Sequence, residues 1–414
     1  MARMDGGAQD GNRNGDGVMD VHGTTAAGFE KLRDAFAQGQ KDDDGGAQLC
    51  VYRHGKKVVD LWAGRDKVKD RPYTDDTITV CFSVSKGATA TMAHMLAERG
   101  QLDFAAPIAT YWPEFAQNGK AKITVADAMA HRAGLNSFDP DSAIGIRDLT
   151  HWTRCTEALA AMAPLWEPGS AMSYHALTYG YIVGEVIRRI TGKTPGTFFA
   201  QEIAKPLDLD LWIGLPEREE PRVAPHYLER PGLTAEQATA LLTGFGIDTT
   251  TRNARAMLKG FVDTGAALEF INSREAHAAE IPAGNMIGDA ASLAKMYAAT
   301  IGAVDGVRLL KAETVARAVQ LQTEGLVAPG DFAKLPAPSP HRYGLGYQLT
   351  RTAAPLLGEG SFGHDGAGGR TGYAHPAGGV AVGYVCNNML WDGMTGPDPR
   401  WVPWTQALRE AVGL

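Results

Sequence analysis

Hydrophobic and polar positions follow two different periods along this chain. The run AQLCVYRHGKKVVDLWAG (47–64) alternates in period two around His54-Gly55, which predicts a β-hairpin. Strand-like runs also occur in DTITVCF before residue 83 and, from residue 343, in YGLGYQLT, TGYAHPAG and GVAVGYVCNN. Strands near both ends of the chain predict one sheet assembled from distant segments.

Helical spacing dominates between these strand regions. The first predicted helix covers 24–38, with Phe29, Leu32 and Phe36 on one side. Further helices are predicted over 86–100, 123–131, 176–191, 289–301 and 402–412. We therefore expect a sheet region at about 23–85 and 340–414, with a mainly helical part at about 86–339 inserted into it. The stretch 215–285 is rich in proline, charge and small residues, which makes it a candidate lid or substrate-facing lobe.

The first 22 residues are rich in glycine, aspartate and asparagine and predict a flexible tail. Asn12 and Asp16 match the start of a calcium loop, but Gly23 occupies the position that requires a glutamate. We interpret the segment as a solvated tail without calcium. It has no apolar signal-peptide core, and no run reaches about 18 apolar residues, so we expect a cytoplasmic enzyme without a membrane span.

Composition narrows the class of protein. The 414 residues are 44% hydrophobic and 21% charged, which is typical of a globular enzyme. The net charge of −7 provides no basic surface and argues against nucleic-acid binding. The cysteines are far apart and form no CxxC pair, so we predict buried free thiols. No histidine pair has metal-ligand spacing, and we predict neither a metal nor a cofactor.

Candidate chemistry lies in FSVSKG, where an apolar run gives way to a helix. Ser83 and Lys86 are three residues apart, so their side chains share one helix face if Ser83 opens that helix. The helix N-terminus favours an alkoxide, and a partly desolvated lysine can act as a base. Ser85 has no such partner, because Ala88 follows it at that spacing. The spacing selects Ser83 as the candidate nucleophile.

The pattern S-x-x-K alone is weak, because it occurs again at Ser292 and Lys295. That copy begins an ordinary amphipathic helix, and we interpret Lys295 as a surface residue. The nucleophile-elbow pattern G-x-S-x-G of α/β-hydrolases is absent from the chain.

Two later motifs favour the Ser83 and Lys86 copy of S-x-x-K over the Ser292 and Lys295 copy. WEPGSAMSYHALTYGYIVGEVIRRITGK places Tyr174 between a turn and an amphipathic helix, and FGHDGAGG places His364-Asp365-Gly366 at a strand. With MAHRAGL, EIAKPLDLDLWIGLP, AEIPAGNMIGDAASLAKMYAA and GYVCNNM in the same order, the sequence resembles the serine β-lactamase-like superfamily, in particular the class C-type carboxylesterases of family VIII. The resemblance extends from about residue 24 to 412.

The resemblance implies an α/β (α+β) fold in which an antiparallel sheet is flanked by helices and carries a large helical lobe. It implies that Ser83 is acylated and that Lys86 and Tyr174 share proton transfer, with the resting base undecided because the two groups are coupled. It places His364, Asp365 and Gly366 in the third motif, on the strand that borders the site, as candidate substrate-binding residues. It assigns the oxyanion hole to the backbone N–H groups of Ser83 and Ala367.

Two departures from the β-lactamase pattern favour esters over lactams. Ala176 replaces the asparagine that would hold a lactam side chain, and His364 replaces the lysine that helps to hold a substrate carboxylate. His364 could bind substrate, assist proton transfer or pack beside the site. His175 could line the pocket or cap the next helix, and Trp166 and Trp391 are candidate walls of an acyl pocket.

The leading hypothesis is a serine carboxylesterase acting on small or medium acyl esters. An acyltransferase of the same family is the main alternative, because the nucleophile would be identical and only the acceptor would differ. A β-lactamase or D-amino-acid peptidase, or a binding protein without activity, fits the motifs less well. The partner we expect is a small-molecule ester, and the sequence leaves the oligomeric state open.

Overall fold

The structure is a computed structural model that describes residues 19–229, 232–260, 264–337, 339–391, 393 and 396–414. Its strands are β1 Val21–Thr25, β2 Ala47–Arg53, β3 Lys56–Ala63, β4 Arg65–Asp66, β5 Arg71–Pro72, β6 Thr79–Val80, β7 Leu211–Trp212, β8 Ile287–Gly288, β9 Gln348–Leu349, β10 Phe362–Gly366, β11 Arg370–His375 and β12 Val380–Cys386. Its helices are α1 Lys31–Gln40, α2 Ser85–Glu98, α3 Val125–Met129, α4 Trp152–Ala161, α5 Thr178–Thr191, α6 Pro195–Phe199, α7 Lys205–Leu207, α8 Ala235–Gly244, α9 Arg252–Gly260, α10 Thr264–Ile271, α11 Arg274–Ala278, α12 Ala290–Ile301, α13 Ala312–Ala318 and α14 Trp401–Val412.

Within the described residues, one antiparallel sheet joins the two ends of the chain in the order β1-β3-β2-β12-β11-β10-β9. The central pair is β2 with β12, whose residues come from opposite ends of the sequence. This confirms the predicted antiparallel sheet with a helical part between its two halves.

The sheet is buried on both faces, so its central strands are almost wholly apolar. Leu49 and Val51 of β2 face a core formed with α1 and α14, whereas Cys50 faces the core of the helical lobe. On the lobe side α12 lies directly on the sheet. A Cβ on Gly383 would lie 2.2 Å from the carbonyl oxygen of Ala290, so only glycine permits this close approach.

Several predicted elements are found where the pattern placed them. The hairpin turns at His54-Gly55, and the long helices expected at 86–100, 176–191 and 289–301 are α2, α5 and α12. The cysteines Cys50, Cys81, Cys155 and Cys386 are buried and free, as predicted.

Other expectations need correction. Residues 21 and 22, assigned to the tail, form the start of β1 because this strand pairs with β3, and α1 begins only at Lys31. The DTITVCF run contributes only β6, which pairs with β8 in a separate small sheet. The rest of the tail, residues 1–18, including Asn12 and Asp16, lies outside the described residues. In the described part of the chain, no helix has the length and hydropathy needed to cross a membrane.

A buried arginine joins the two ends of the chain beside the turn between β10 and β11. Arg400 Nη1 lies 2.7 Å from Asp43 Oδ2, and its Nη2 lies 2.6 Å from Asp398 Oδ2. Nη2 also donates to the carbonyl oxygen of Gly368, in the turn between β10 and β11, at 2.6 Å. All three charged side chains are at most 2% exposed. The pair of carboxylates depends on this one cation.

We predict that Arg400→Met lowers the free energy of unfolding by about 3–5 kcal/mol, because it leaves two buried carboxylates without a counter-charge. Urea unfolding followed by circular dichroism measures the change. The matched control is Arg53→Met, since Arg53 is less buried and donates one hydrogen bond to the Ala411 carbonyl. We expect the control to cost about 1 kcal/mol, and equal losses in the two variants would contradict the prediction.

Candidate active site

Ser83 lies in a short 3-10 turn, Phe82–Val84, immediately before α2. Phe82 has a left-handed backbone with φ of +49°, a strained conformation for a bulky residue that the surrounding structure must hold. The turn leaves Ser83 half-buried at the helix N-terminus, where negative charge is favoured. Ser85 is buried; its hydroxyl donates to the Phe82 carbonyl and accepts from the Met286 N–H at 2.9 Å. These contacts agree with the choice of Ser83 over Ser85.

Lys86 places a buried amine beside this serine. Its Nζ lies 3.3 Å from Ser83 Oγ and donates to the carbonyl oxygens of Ala176 at 2.6 Å and Ala283 at 2.9 Å. Burial lowers the pKa of Lys86 well below its usual value, and only Asp365 opposes this effect. A neutral amine has two N–H groups, which the two carbonyls occupy. Its lone pair is therefore left to accept the Ser83 proton.

Tyr174 covers the same amine from the other side. Lys86 Nζ lies 4.7 Å from the centroid of the Tyr174 ring. Burial raises the pKa of Tyr174, while the Ser83 and Tyr343 hydroxyls are close enough to oppose that rise. Tyr174 is therefore a neutral phenol at rest, and its buried hydroxyl has no hydrogen-bond partner among the described residues.

The third motif lies directly against the serine turn. Gly366 ends β10, and Ala367 begins the turn that leads into β11. A Cβ on Gly366 would lie 2.4 Å from the Cys81 carbonyl oxygen and 3.2 Å from Val84 Cγ2. Glycine at this position therefore allows the end of β10 to reach the turn that carries Ser83. The oxyanion role of the Ala367 N–H stays a prediction.

Arg370, which the sequence analysis did not single out, connects the two predicted oxyanion donors. It is fully buried, and its Nη1 donates to the Ala367 carbonyl at 2.7 Å. Its guanidinium carbon lies 5.2 Å from the centroid of the Phe82 ring. The guanidinium also donates to His226 Nδ1 at 2.5 Å, so this histidine is a neutral acceptor. Arg370 thus positions the hairpin turn and the serine turn together.

His364 and Asp365 are engaged within the protein. The ring of His364 donates from Nδ1 to the Asp365 carbonyl at 2.5 Å, which leaves Nε2 to accept from the Tyr343 hydroxyl at 2.9 Å. Burial lowers the pKa of His364 to about 3. The Asp365 carboxylate accepts from Gln348 at 2.6 Å and from Arg351 at 2.9 Å. Their expected substrate contacts do not fit these bonds, whereas an indirect effect on proton transfer does.

His175 also differs from the expected substrate contact. It is fully buried; Nδ1 donates to the Ser173 carbonyl at 2.7 Å, and Nε2 accepts from the Leu135 N–H at 3.1 Å. The backbone N–H of His175 donates to His131 Nδ1 at 3.0 Å. Both histidines therefore hold the segment around Tyr174 in place, and MAHRAGL was the available signal for His131.

The two tryptophans proposed as pocket walls lie elsewhere. Trp391 packs on Trp401 with centroids 4.6 Å apart, in the core on the α1 and α14 side of the sheet. Trp166 meets the edge of the His175 ring at 6.0 Å. Neither tryptophan is among the described residues that line the cavity beside Tyr174. The expected wall contacts are therefore wrong for this cavity.

A cavity of about 750 Å³ opens beside Tyr174. We call it the Tyr174 cavity; its walls are Tyr174 and Ala176, the loop at 136–137, α9, and the described residues of 325–341, which are 325–337 and 339–341 and are called below the segment 325–341. Part of the suspected lid region 215–285 thus faces the site through α9. The sequence analysis did not identify the larger wall, 325–341, although its apolar and proline-rich composition could have indicated a pocket-lining segment.

Metal ligands are not clustered in the described part of the chain: no three histidine, cysteine, aspartate or glutamate residues there could hold one ion. The prediction of metal-independent chemistry rests on the Ser83, Lys86 and Tyr174 arrangement and stays a prediction.

The family model described as Beta-lactamase matches residues 32–402. The chain belongs to the beta-lactamase family. The esterase/beta-lactamase LipL of Mycobacterium tuberculosis (strain ATCC 25618 / H37Rv) is 36% identical to it over 358 residues, which cover 84% of this chain and 78% of LipL.

Solved structures of this family show the same architecture. A family VIII carboxylesterase is 33% identical, with a TM-score of 0.80 over 95% of this chain and all of that chain. EstA from Arthrobacter nitroguajacolicus Rue61a is 29% identical, with a TM-score of 0.79 over 95% of this chain and 99% of that chain. The fold expected from the resemblance is confirmed, and the chain is a hydrolase-family member related to esterases.

Tyr343 is a second residue that the sequence analysis missed in this beta-lactamase family member. It is fully buried, its ring centroid lies 6.1 Å from that of Tyr174, and its hydroxyl bonds to His364. A hydroxyl has one proton and rotates freely. The Tyr343 proton can therefore bond to His364 at rest and turn to Tyr174 when that phenol loses its proton.

We predict that Tyr343→Phe lowers kcat about tenfold with little change in KM, because the Tyr174 phenolate loses one stabilising hydrogen bond. Steady-state kinetics on p-nitrophenyl butyrate measures both constants. The same substitution removes the group that lowers the pKa of Tyr174, so the pH profile of kcat should also shift.

The control is Tyr347→Phe. Tyr347 is equally buried, and its hydroxyl bonds to Thr91 at 2.8 Å, away from Tyr174. Both variants should lose about 1 kcal/mol of stability, but only Tyr343→Phe should lose kcat. Equal kcat in the two variants would show that Tyr343 has a structural role alone.

Proposed function

We propose that this protein is a serine carboxylesterase that hydrolyses esters through an acyl-enzyme on Ser83. The observation that carries the proposal is the buried Lys86 amine, 3.3 Å from Ser83 Oγ, with both of its other hydrogen-bond positions occupied by carbonyls. The relationship to LipL and to a family VIII carboxylesterase supports an ester as the bond that is cleaved.

The proposed reaction has two steps. Ser83 Oγ attacks the ester carbonyl carbon as its proton passes to Lys86 Nζ, and the carbonyl oxygen becomes an oxyanion between the N–H groups of Ser83 and Ala367. Each such donor contributes about 3 kcal/mol in other acyl-transfer enzymes. The bond to the alcohol oxygen then breaks as that oxygen takes the Tyr174 proton, which Lys86 replaces.

Deacylation follows the same route in reverse. Water takes the position of the alcohol, gives one proton to the Lys86 and Tyr174 pair, and attacks the acyl carbon. The bond to Ser83 Oγ breaks, and the acid leaves as the serine regains its proton. Each proton transfer uses a group that the structure already holds beside Ser83, so the mechanism requires no cofactor.

Acyl transfer to an alcohol or amine is the alternative outcome of the same acyl-enzyme. The Tyr174 cavity supports acyl transfer as a second candidate function, because an acceptor that enters the cavity would approach the position from which water attacks. Product analysis with and without added alcohols or amines separates the two. A β-lactam reaction is less favoured, since Ala176 and a neutral His364 offer no group for a lactam amide or carboxylate.

We predict that Ser83→Ala lowers kcat on p-nitrophenyl butyrate by at least about a thousandfold and abolishes the acyl-enzyme seen by intact mass. The matched control is Ser292→Ala, the serine of the second S-x-x-K pattern. Ser292 accepts from the Asp210 N–H at 2.9 Å and Lys295 pairs with Asp305 at 2.8 Å, so that copy is structural. Full activity of the Ser83 variant would refute the proposal.

The pH profile distinguishes the two candidate bases. Burial lowers the pKa of Lys86 well below its usual value, so a Lys86 base should make kcat/KM rise well below the ordinary lysine pKa of 10.5. If the Tyr174 phenolate were the resting base, its raised pKa would place the rise above the ordinary tyrosine pKa of 10.0. Burial lowers the pKa values of His175, His341 and His364 to about 4, 4 and 3, so a rise above that range does not come from these rings. A rise found only above pH 10.5 would exclude Lys86 as the base.

A further inference from the structure

We infer that the Tyr174 cavity binds an uncharged apolar group of the ester, so that the enzyme selects lipophilic neutral esters over esters that carry a carboxylate. This inference rests on the proposed function and names its substrate class. The sequence analysis expected only small or medium acyl esters, and its one charge argument concerned the third motif at His364, outside this cavity.

The walls of the cavity are mainly apolar. Met172 lies at its base, and Leu326, Val327, Phe332 and Leu335 line it from the segment 325–341. A volume of about 750 Å³ is within the range of pockets that bury a whole drug-sized ligand, so a group much larger than acetyl or butyryl fits. Removing such a group from water favours binding in proportion to the apolar surface that is buried.

The cavity offers no free charge to an ionic group. Among its described lining residues, Arg351 is the charged one, and its Nη2 lies 2.9 Å from the Asp365 carboxylate. Arg351 Nη1 is also engaged, by the Gly393 carbonyl at 3.1 Å and Ser339 Oγ at 3.2 Å. His341 lines the cavity as a neutral ring, because burial lowers its pKa to about 4. A carboxylate entering here would lose hydration without meeting a cation that is free to pair with it.

The cavity mouth carries exposed apolar side chains of the same character. Met257 on α9 is 38% exposed and Val327 is 64% exposed, and both also line the cavity. Buried Leu242, Ala254 and Phe332 form a small separate core that holds α8 and α9 against the segment 325–341. The apolar surface is therefore continuous from solvent to Tyr174.

The first test compares two pairs of esters by kcat/KM, each corrected for its rate of hydroxide hydrolysis. p-Nitrophenyl octanoate and p-nitrophenyl hydrogen suberate have equal chain length and differ by one terminal carboxylate in the acyl half. p-Tolyl acetate and 4-carboxyphenyl acetate place the same difference in the alcohol half. We expect the neutral ester to be preferred at least about tenfold in one pair, which identifies the half that occupies the cavity. Equal turnover within both pairs would overturn the inference.

The second test changes the charge at the mouth. Met257→Lys and Met257→Gln are similar in size and differ in charge, and the position is exposed enough to accept either. Relative to Met257→Gln, the lysine should raise the charged-to-neutral ratio of kcat/KM at least about tenfold in the ester pair that the first test identifies as occupying the cavity. Val68→Lys, at a 55% exposed position outside the cavity lining, should leave the ratio unchanged. The same ratio in both Met257 variants would overturn the inference.

A separate measurement keeps this inference independent of catalysis. Dissociation constants of the two esters of that pair for the Ser83→Ala protein, from equilibrium dialysis, report on binding without turnover. Hydrolysis of p-nitrophenyl acetate that does not depend on Ser83 would defeat the proposed function but not this binding preference. Ser83-dependent hydrolysis with equal affinity for the two esters would defeat the inference alone.

Discussion

The burial of one amine is the constraint on which this site depends. Lys86 Nζ is removed from water and bonded to the carbonyls of Ala176 and Ala283. An ammonium at that position would lack solvation, so the neutral form is favoured and its lone pair faces Ser83. The turn before α2, the segment around Tyr174 and the loop at Ala283 must all meet at this nitrogen, and they come from three distant parts of the chain.

The turn after β10, which carries the second predicted oxyanion donor, is positioned by close backbone contacts. Gly366 lets β10 reach the serine turn, and Arg370 bonds to the hairpin turn while it lies over Phe82. Arg400 holds the same turn through the Gly368 carbonyl and anchors it to Asp43. The strained Phe82 backbone is thus maintained by buried contacts that do not touch the substrate.

The sequence predicted the positions of the candidate catalytic side chains correctly, but it did not predict the contacts of the side chains around them. Ser83 and Lys86 lie together because their spacing places them at one helix start, and Tyr174 joins them from the second motif through the fold. His175, His364 and Asp365 were expected at the substrate, yet their polar atoms bond inside the protein. Which way a side chain turns depends on partners that are remote in sequence, such as Leu135 and Tyr343.

By itself, the sequence determined the family, the sheet with its helical insertion, and the choice of Ser83 over Ser85, since periodicity and short motifs are local properties. Only the tertiary structure decided that the Lys86 amine is buried and its pKa lowered, because this depends on residues about 90 and 197 positions away. It also decided that a wide apolar cavity opens beside Tyr174, because α9 and the segment 325–341 form its walls only after the chain has folded.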